Sequence, residues 1–419
     1  MTADAETAFE KLTGFLATSP PGRLGVAVSG GGDSVALLLL LSDWARADGT
    51  ELAIATVDHG LRPEAAQEAD FVAGLAARLG HDHVTLRWEG WDGTGNLQDS
   101  ARRARYGLLA SWAREAQLDA VALAHTRDDQ AETVVMQLRR AAGVDGLAAM
   151  PARWWQEGCG FIRPLLGVGR DELRNYLRDR GQAWIEDPSN ADRGFERVRT
   201  RDALAVLDGL GITAKVLAQV AAHMAKAREA LDWHAYLEAR VVTRVDRGDV
   251  VIDRKGWRAL NDEIARRIIR AALLWVGRAP YPPRRAKQEQ LIEAVKQGTT
   301  VTLAGCLVRI EPEAIRICRE AAAVTELRAP LGELWDGRWR VIGPVEEGAE
   351  LRALGEDGLR QCLDWRESGL PSSSLVATPA VWRGGILLAA PLAGFGPGWK
   401  AELEGGAEGF FATILPRGN

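Results

Sequence analysis

Apolar residues recur in two rhythms over the first third of the chain. Unbroken apolar runs at 24–29, 52–57 and 120–124 have the length of buried strands, whereas 33–44, 65–79 and 97–112 have the length and apolar spacing of helices. Strand and helix alternate, which predicts βαβ units, a parallel sheet and helices on both faces. Right-handed crossovers then bring the carboxyl ends of the strands, at Ser29, at Asp58 and His59, and at His125, to one edge of the sheet.

Beyond the turn-rich residues Glu186, Asp187, Pro188, Ser189 and Asn190 the pattern becomes mostly helical, from about 200 to 276. Tyr281, Pro282 and Pro283 break it, and short strands are expected at 299–303, 306–310 and 314–318. From 324 onward the composition shifts to Gly, Pro and Trp, with strand-like runs such as Trp339–Ile342. The expected division is an α/β domain at 1–210, a helical domain at 211–320 and a small β-rich module at 321–419. A length of 419 residues suits two or three cores.

A net charge of −5 speaks against indiscriminate nucleic-acid binding, but the charge is unevenly spread. Lysine and arginine outnumber acidic residues between 226 and 290, and the reverse holds from 320 to 419. Cys159, Cys306, Cys318 and Cys362 are scattered and form no Cys-x-x-Cys, so they read as core residues, not as a disulfide or metal framework. No aliphatic run near the start approaches the roughly 20 residues of a membrane span, and the acidic first residues are unlike a signal peptide. The expectation is a cytoplasmic protein without membrane contact.

The chemistry concentrates where the first strand meets its helix: Ser29, Gly30, Gly31, Gly32, Asp33, Ser34. Glycines let the backbone approach a ligand, and the amides and dipole of the following helix favour an anion, here a nucleotide phosphate. No Gly-Lys-Ser/Thr follows and the spacing is not Gly-x-Gly-x-x-Gly, so this is neither a Walker loop nor a dinucleotide fingerprint. Asp33 beside an anion site calls for a cation between them, for which Mg²⁺ is the economical choice. Asp129 and Glu132, three residues apart in a helix, share a face suited to Mg²⁺ or to a substrate ammonium. Acidic residues in a first helical turn also offset the dipole, and Thr126 is a fitting N-cap. Asp58 and His59 end the second strand where a base or ribose of ATP would rest. Arg102, Arg105, Arg139, Arg140, Arg197, Arg199 and Arg201 supply cations suited to RNA phosphates or to a departing pyrophosphate.

Residues 29–34 resemble the Ser-Gly-Gly-x-Asp-Ser loop of the PP-loop ATP pyrophosphatases, whose fold is the adenine nucleotide alpha hydrolase-like parallel sheet. With Asp58, His59, Gly60, Leu61 and Arg62, then Asn96 to Tyr106, Asp128 to Thr133, and Glu186 to Asn190 in that order, the chain resembles the tRNA(Ile)-lysidine synthetases. That resemblance implies ATP and Mg²⁺ as cofactors, and L-lysine and the CAU-anticodon isoleucine tRNA as partners. It further implies Asp33, Asp129, Glu132, Arg197 and Arg201 as catalytic residues, Ser29 to Ser34 with Asp58 and His59 on ATP, and Arg102, Arg105, Arg139 and Arg199 on tRNA. Asp33 and Asp129 are the implied metal ligands. The chain departs from the family at Val198, where an Asn usually follows the arginine. A thiolase-type relative would want a reactive cysteine near the loop, where Cys159 is the one candidate. A non-catalytic nucleotide or RNA binder would have no use for Asp33, Asp129 and Glu132 together.

Overall fold

The computed structural model describes residues 3–60, 65–89, 97–186, 196–279, 281–344 and 346–415. The chain divides into two compact units, 1–228 and 229–417, with residues 418–419 grouped with the first.

In the first unit the elements are α1 (Ala3–Ala17), β1 (Arg23–Ala27), α2 (Gly32–Asp48), β2 (Glu51–Asp58), α3 (Ala65–Leu79), β3 (Asp82–Arg87), α4 (Leu97–Glu115) and β4 (Ala120–Ala122). They are followed by α5 (Arg127–Leu138), α6 (Val144–Leu147), β5 (Arg153–Gln156), β6 (Cys159–Ile162), α7 (Arg170–Asp179), α8 (Glu196–Asp208) and α9 (Ala214–Val242), which runs on into the second unit. The sheet order is β3-β2-β1-β4-β6-β5, parallel except for the β5–β6 hairpin. Val26 of β1 pairs with Ile54 of β2 on one side and Ala122 of β4 on the other. The chain therefore reverses its direction of progress between β1 and β4, the kind of crevice in which open α/β sheets bind ligands.

Helix α2 is almost wholly apolar because it is buried: Val35 to Leu41 are all in the core, against α1, α3 and α7 on one face of the sheet. Tyr106, Leu109 and Trp112 of α4 cover the other face with Val121 and Phe161. The expected strands and helices of this half are present, and α1, β3, α6, the β5–β6 hairpin and α7 lie outside the expectation.

The reading of 200–276 as mostly helical holds, and the second unit adds one interruption to it. A hairpin, β7 (Thr243–Asp246) and β8 (Asp249–Asp253), interrupts the helices. It is followed by α10 (Arg254–Ala259), α11 (Asp262–Gly277), α12 (Arg285–Lys296), β9 (Val301–Leu303), β10 (Cys306–Ile310) and β11 (Ala314–Arg319). The hairpin joins the expected strands in one sheet, β7-β8-β11-β10-β9, packed on α11. The physical reason is Val250, Val251 and Ile252, a β-branched run fully inside the core, which favours a strand over a helix. Two further antiparallel sheets follow, and a helix at Gly406–Ala412 returns Phe410 and Phe411 to the cluster containing Trp275. All four cysteines are buried free thiols. Among the described residues no helix is long and apolar enough to cross a membrane.

Candidate active site

The glycine turn is held in shape by its own serines. The Ser29 amide donates to Ser34 Oγ at 3.2 Å, and that hydroxyl donates to the Gly31 carbonyl at 2.8 Å. Gly30 has φ of +86°, so the backbone requires glycine, and a Cβ there, 2.8 Å from Ile185 Cδ1, would also push that side chain aside. The Ile185 amide closes the turn from outside, donating to the Gly30 carbonyl at 2.9 Å. Gly31 caps α2 without any side chain on the first amides, which leaves the helix N-terminus for an anion.

This turn opens on a cavity of about 990 Å³ lined by residues from every carboxyl-end loop around the β1–β4 crevice. Ser29, Gly31, Gly32, Asp33, Ser34, Asp129, Arg105, Arg197 and Arg201 all reach it. Gly30 shapes the turn from behind. Asp58 instead accepts the Gly60 amide at 2.8 Å, and His59 packs edge-on to Trp88; neither lines the cavity. Nor do the remaining arginines. Arg102 lies over the Tyr106 ring, Arg139 pairs with Glu196, and Arg199 is exposed on α8. Asp187 to Asn190 and Val198's preceding loop through Phe195 lie outside the described residues, as do Leu61, Arg62 and Asn96.

Arg170, at the first position of α7, is the residue sequence reasoning missed. Its guanidinium reaches Asp33 at 3.2 Å, Asp129 at 3.3 Å and Glu132 at 3.5 Å. Its amide donates to Asp128 at 2.7 Å, and the Arg127 amide donates to the Val168 carbonyl at 2.9 Å, so the starts of α5 and α7 are tied together. Leu173, Tyr176 and Leu177 are buried at helical spacing; that pattern was the available signal for α7.

Asp129 carries two duties. Its Oδ2 accepts from the Thr126 amide at 2.8 Å and hydroxyl at 2.9 Å, completing a capping box, while Oδ1 faces Arg170. Burial pushes its carboxyl up, but Arg170 and the Thr126 bonds outweigh this and hold it below the usual range. Asp33 moves the other way: burial raises it, with Asp129's charge adding to the rise and Arg170 opposing it. Glu132 is fully buried behind them, its Oε1 accepting from Arg201 at 2.7 Å and its Oε2 without a hydrogen-bond partner among the described residues. Burial pushes the Cys159 thiol up to about 11, so it is no ready nucleophile.

A glycine turn without a Walker lysine, at the crevice of a parallel sheet and facing a cluster of carboxylates, defines a PP-loop ATP-binding protein. The model of the PP-loop domain family matches residues 4–207. A tRNA(Ile)-lysidine synthase from Ruegeria pomeroyi is 53% identical over 99% of this chain and 99% of its own. One from Wolbachia pipientis is 37% identical over 76% of each. The chain belongs to the tRNA(Ile)-lysidine synthase family. Among solved structures, the U34-tRNA thiolase NcsA from Methanococcus maripaludis is similar at 17% identity and a TM-score of 0.47, over 53% of this chain and 80% of that one.

Proposed function

We propose that this ATP-dependent ligase joins L-lysine to the wobble cytidine of the CAU anticodon of isoleucine tRNA. The observation that carries the reading is Asp129, held ionised by Arg170 at the wall of the cavity that the glycine turn opens. In the first step the cytidine carbonyl oxygen bonds to the α-phosphorus of ATP and pyrophosphate leaves. The amides at the start of α2 receive that pyrophosphate, and Arg105, Arg174 and Arg197, all on the cavity wall, offset its charge. In the second step lysine's ε-amine bonds to C2 of the base, and AMP leaves with the oxygen.

Lysine's ammonium, with a pKa of about 10.4, must lose a proton before it attacks. Asp129 meets the ammonium and the carboxylate set takes its proton. Glu132 supports from behind by holding Arg201 and Arg170. Asp33 gives one oxygen to Arg170, and its other oxygen would hold Mg²⁺, which would supply charge to offset that on the leaving group. Oδ2 of Asp129 caps α5 and Oδ1 faces Arg170, so we place the metal at Asp33 and leave the second lone pair of Asp129 Oδ1 to the ammonium. Arg102, Arg139 and Arg199, together with residues 211–320 and 321–419, are assigned to tRNA; the wobble base must be splayed out to reach the cavity.

Incubation with ATP, labelled lysine and bulk tRNA tests the proposal. Label entering isoleucine tRNA, with pyrophosphate release dependent on tRNA, is the expected result. Release without tRNA would contradict it.

A further inference from the structure

His125 follows β4 and lines the cavity, yet the mechanism above gives it no task. Its Nδ1 accepts a hydrogen bond from Arg163 Nε at 3.1 Å. An arginine Nε always carries its hydrogen, so Nδ1 must be the bare nitrogen and the imidazole proton must sit on Nε2. A proton on Nδ1 would confront that N–H, which excludes both the other tautomer and the imidazolium.

Arg163 is built to hold this arrangement. It is 4% exposed, and the partners that hold its guanidinium are neutral. Its Cζ lies 3.6 Å from the Trp154 ring centre, Nη1 donates to the Pro151 carbonyl at 2.7 Å, and Nη2 reaches the Tyr106 hydroxyl at 3.4 Å. Its Nε–H is spent on the histidine.

Resting on the lysidine-forming reading, we infer that His125 is a permanently neutral hydrogen-bond donor, its Nε2–H directed at an oxygen of the reacting centre with Arg163 as its positioning residue. The acceptor is a non-bridging α-phosphate oxygen or the attacking cytidine carbonyl, both of which gather charge in the first step. A donor fixed in place before charge develops needs no rearrangement as the reaction proceeds. The same geometry removes His125 from contention as the base for lysine: one nitrogen holds a proton and the other is blocked. The charged groups around the imidazole agree, since burial and the cations Arg163, Arg105 and Arg197 push it down to about 3 against the single opposing charge of Asp129.

The test is a long-range ¹H–¹⁵N spectrum of the full chain, in which six histidines are resolved. His125 is expected to stay in the Nε2–H form across the neutral and mildly acid range, and Arg163→Gln to release it to titrate towards the ordinary value of about 6.5. Adding AMP should move the Nε2 resonance if the acceptor is phosphate, and adding tRNA should move it if the acceptor is the cytidine. His125→Ala should slow pyrophosphate release by about 100-fold, with His125→Gln recovering part of the loss. Wild-type His125 titrating near 6.5, or no response to either ligand, overturns the inference. Failure of lysine incorporation with the tautomer intact would count instead against the lysidine-forming reading.

Discussion

Two clusters in this chain are built alike, an arginine reaching three carboxylates, and differ in finish. In the second unit Arg316 meets Asp249 at 2.9 Å, Asp246 at 3.1 Å and Glu311 at 3.1 Å, and Ser374 donates to Asp249. Its side chain is 6% exposed and the cluster is closed by hydrogen bonds. In the first unit Arg170 is 18% exposed, its contacts run from 3.2 to 3.5 Å, and Glu132 keeps an oxygen unpartnered among the described residues. The Arg316 cluster ties strands β7, β8 and β11 to the end of β10. The Arg170 cluster is left loose on the wall of a cavity, where a second cation can enter. Unfinished satisfaction is what separates a site from a strut.

Exchanging the two arginines for methionine should separate stability from chemistry. Arg316→Met is expected to lower the unfolding free energy of the second unit by about 3–5 kcal/mol, since it leaves buried carboxylates uncompensated. Arg170→Met should lower it less, because water reaches that cluster, while cutting lysine incorporation by about 100-fold or more. Denaturant unfolding and initial rates on both proteins check this; equal stability losses with equal rates would erase the distinction.

Protons give a smaller contrast. Asp249 is pushed up to about 6 by burial, against its bonds to Ser374 and Arg316. A carboxyl raised above its unfolded value of about 3.9 contributes stability that is full below that value and lost as pH rises through about 6. Asp249→Asn should therefore flatten the pH dependence of unfolding between those limits, by roughly 1–3 kcal/mol. Asp246, held low mainly by its bonds to Arg247 and Arg316 against burial, acts in the opposite sense, losing its contribution as pH falls. Smallest of all, Ser34→Ala removes one bridge across the glycine turn, about 1 kcal/mol, and should show as a several-fold rise in KM for ATP with little change in melting.

Much of the first unit was legible because its signals are local. The fully apolar α2, the glycine turn and the Thr126–Asp129 cap each lie within one short segment, and the structure places the turn and Asp129 on one cavity as the strand order requires. Arg170 was not legible: its partners lie 38 to 137 positions away, and nothing in Gly169 or Asp171 marks it apart from a surface arginine. The arginine excess of 226–290, whose placement the sequence left open, is partly internal. Arg266 and Arg267 are buried against Glu263 and Asp232, so part of that charge is spent inside the fold and not on a surface. Asp58 and His59 sit at the expected strand end, but the edge they share with the turn is wide, and the cavity stops short of them.

The account stands or falls on Asp129 as the seat of lysine's amine beside an ATP site that works without it. Rapid-quench analysis of Asp129→Asn with ATP, lysine and isoleucine tRNA measures both steps at once. Pyrophosphate release close to one per tRNA, with adenylated tRNA accumulating and lysine scarcely incorporated, is the predicted result; lysine entering at the wild-type rate would contradict it.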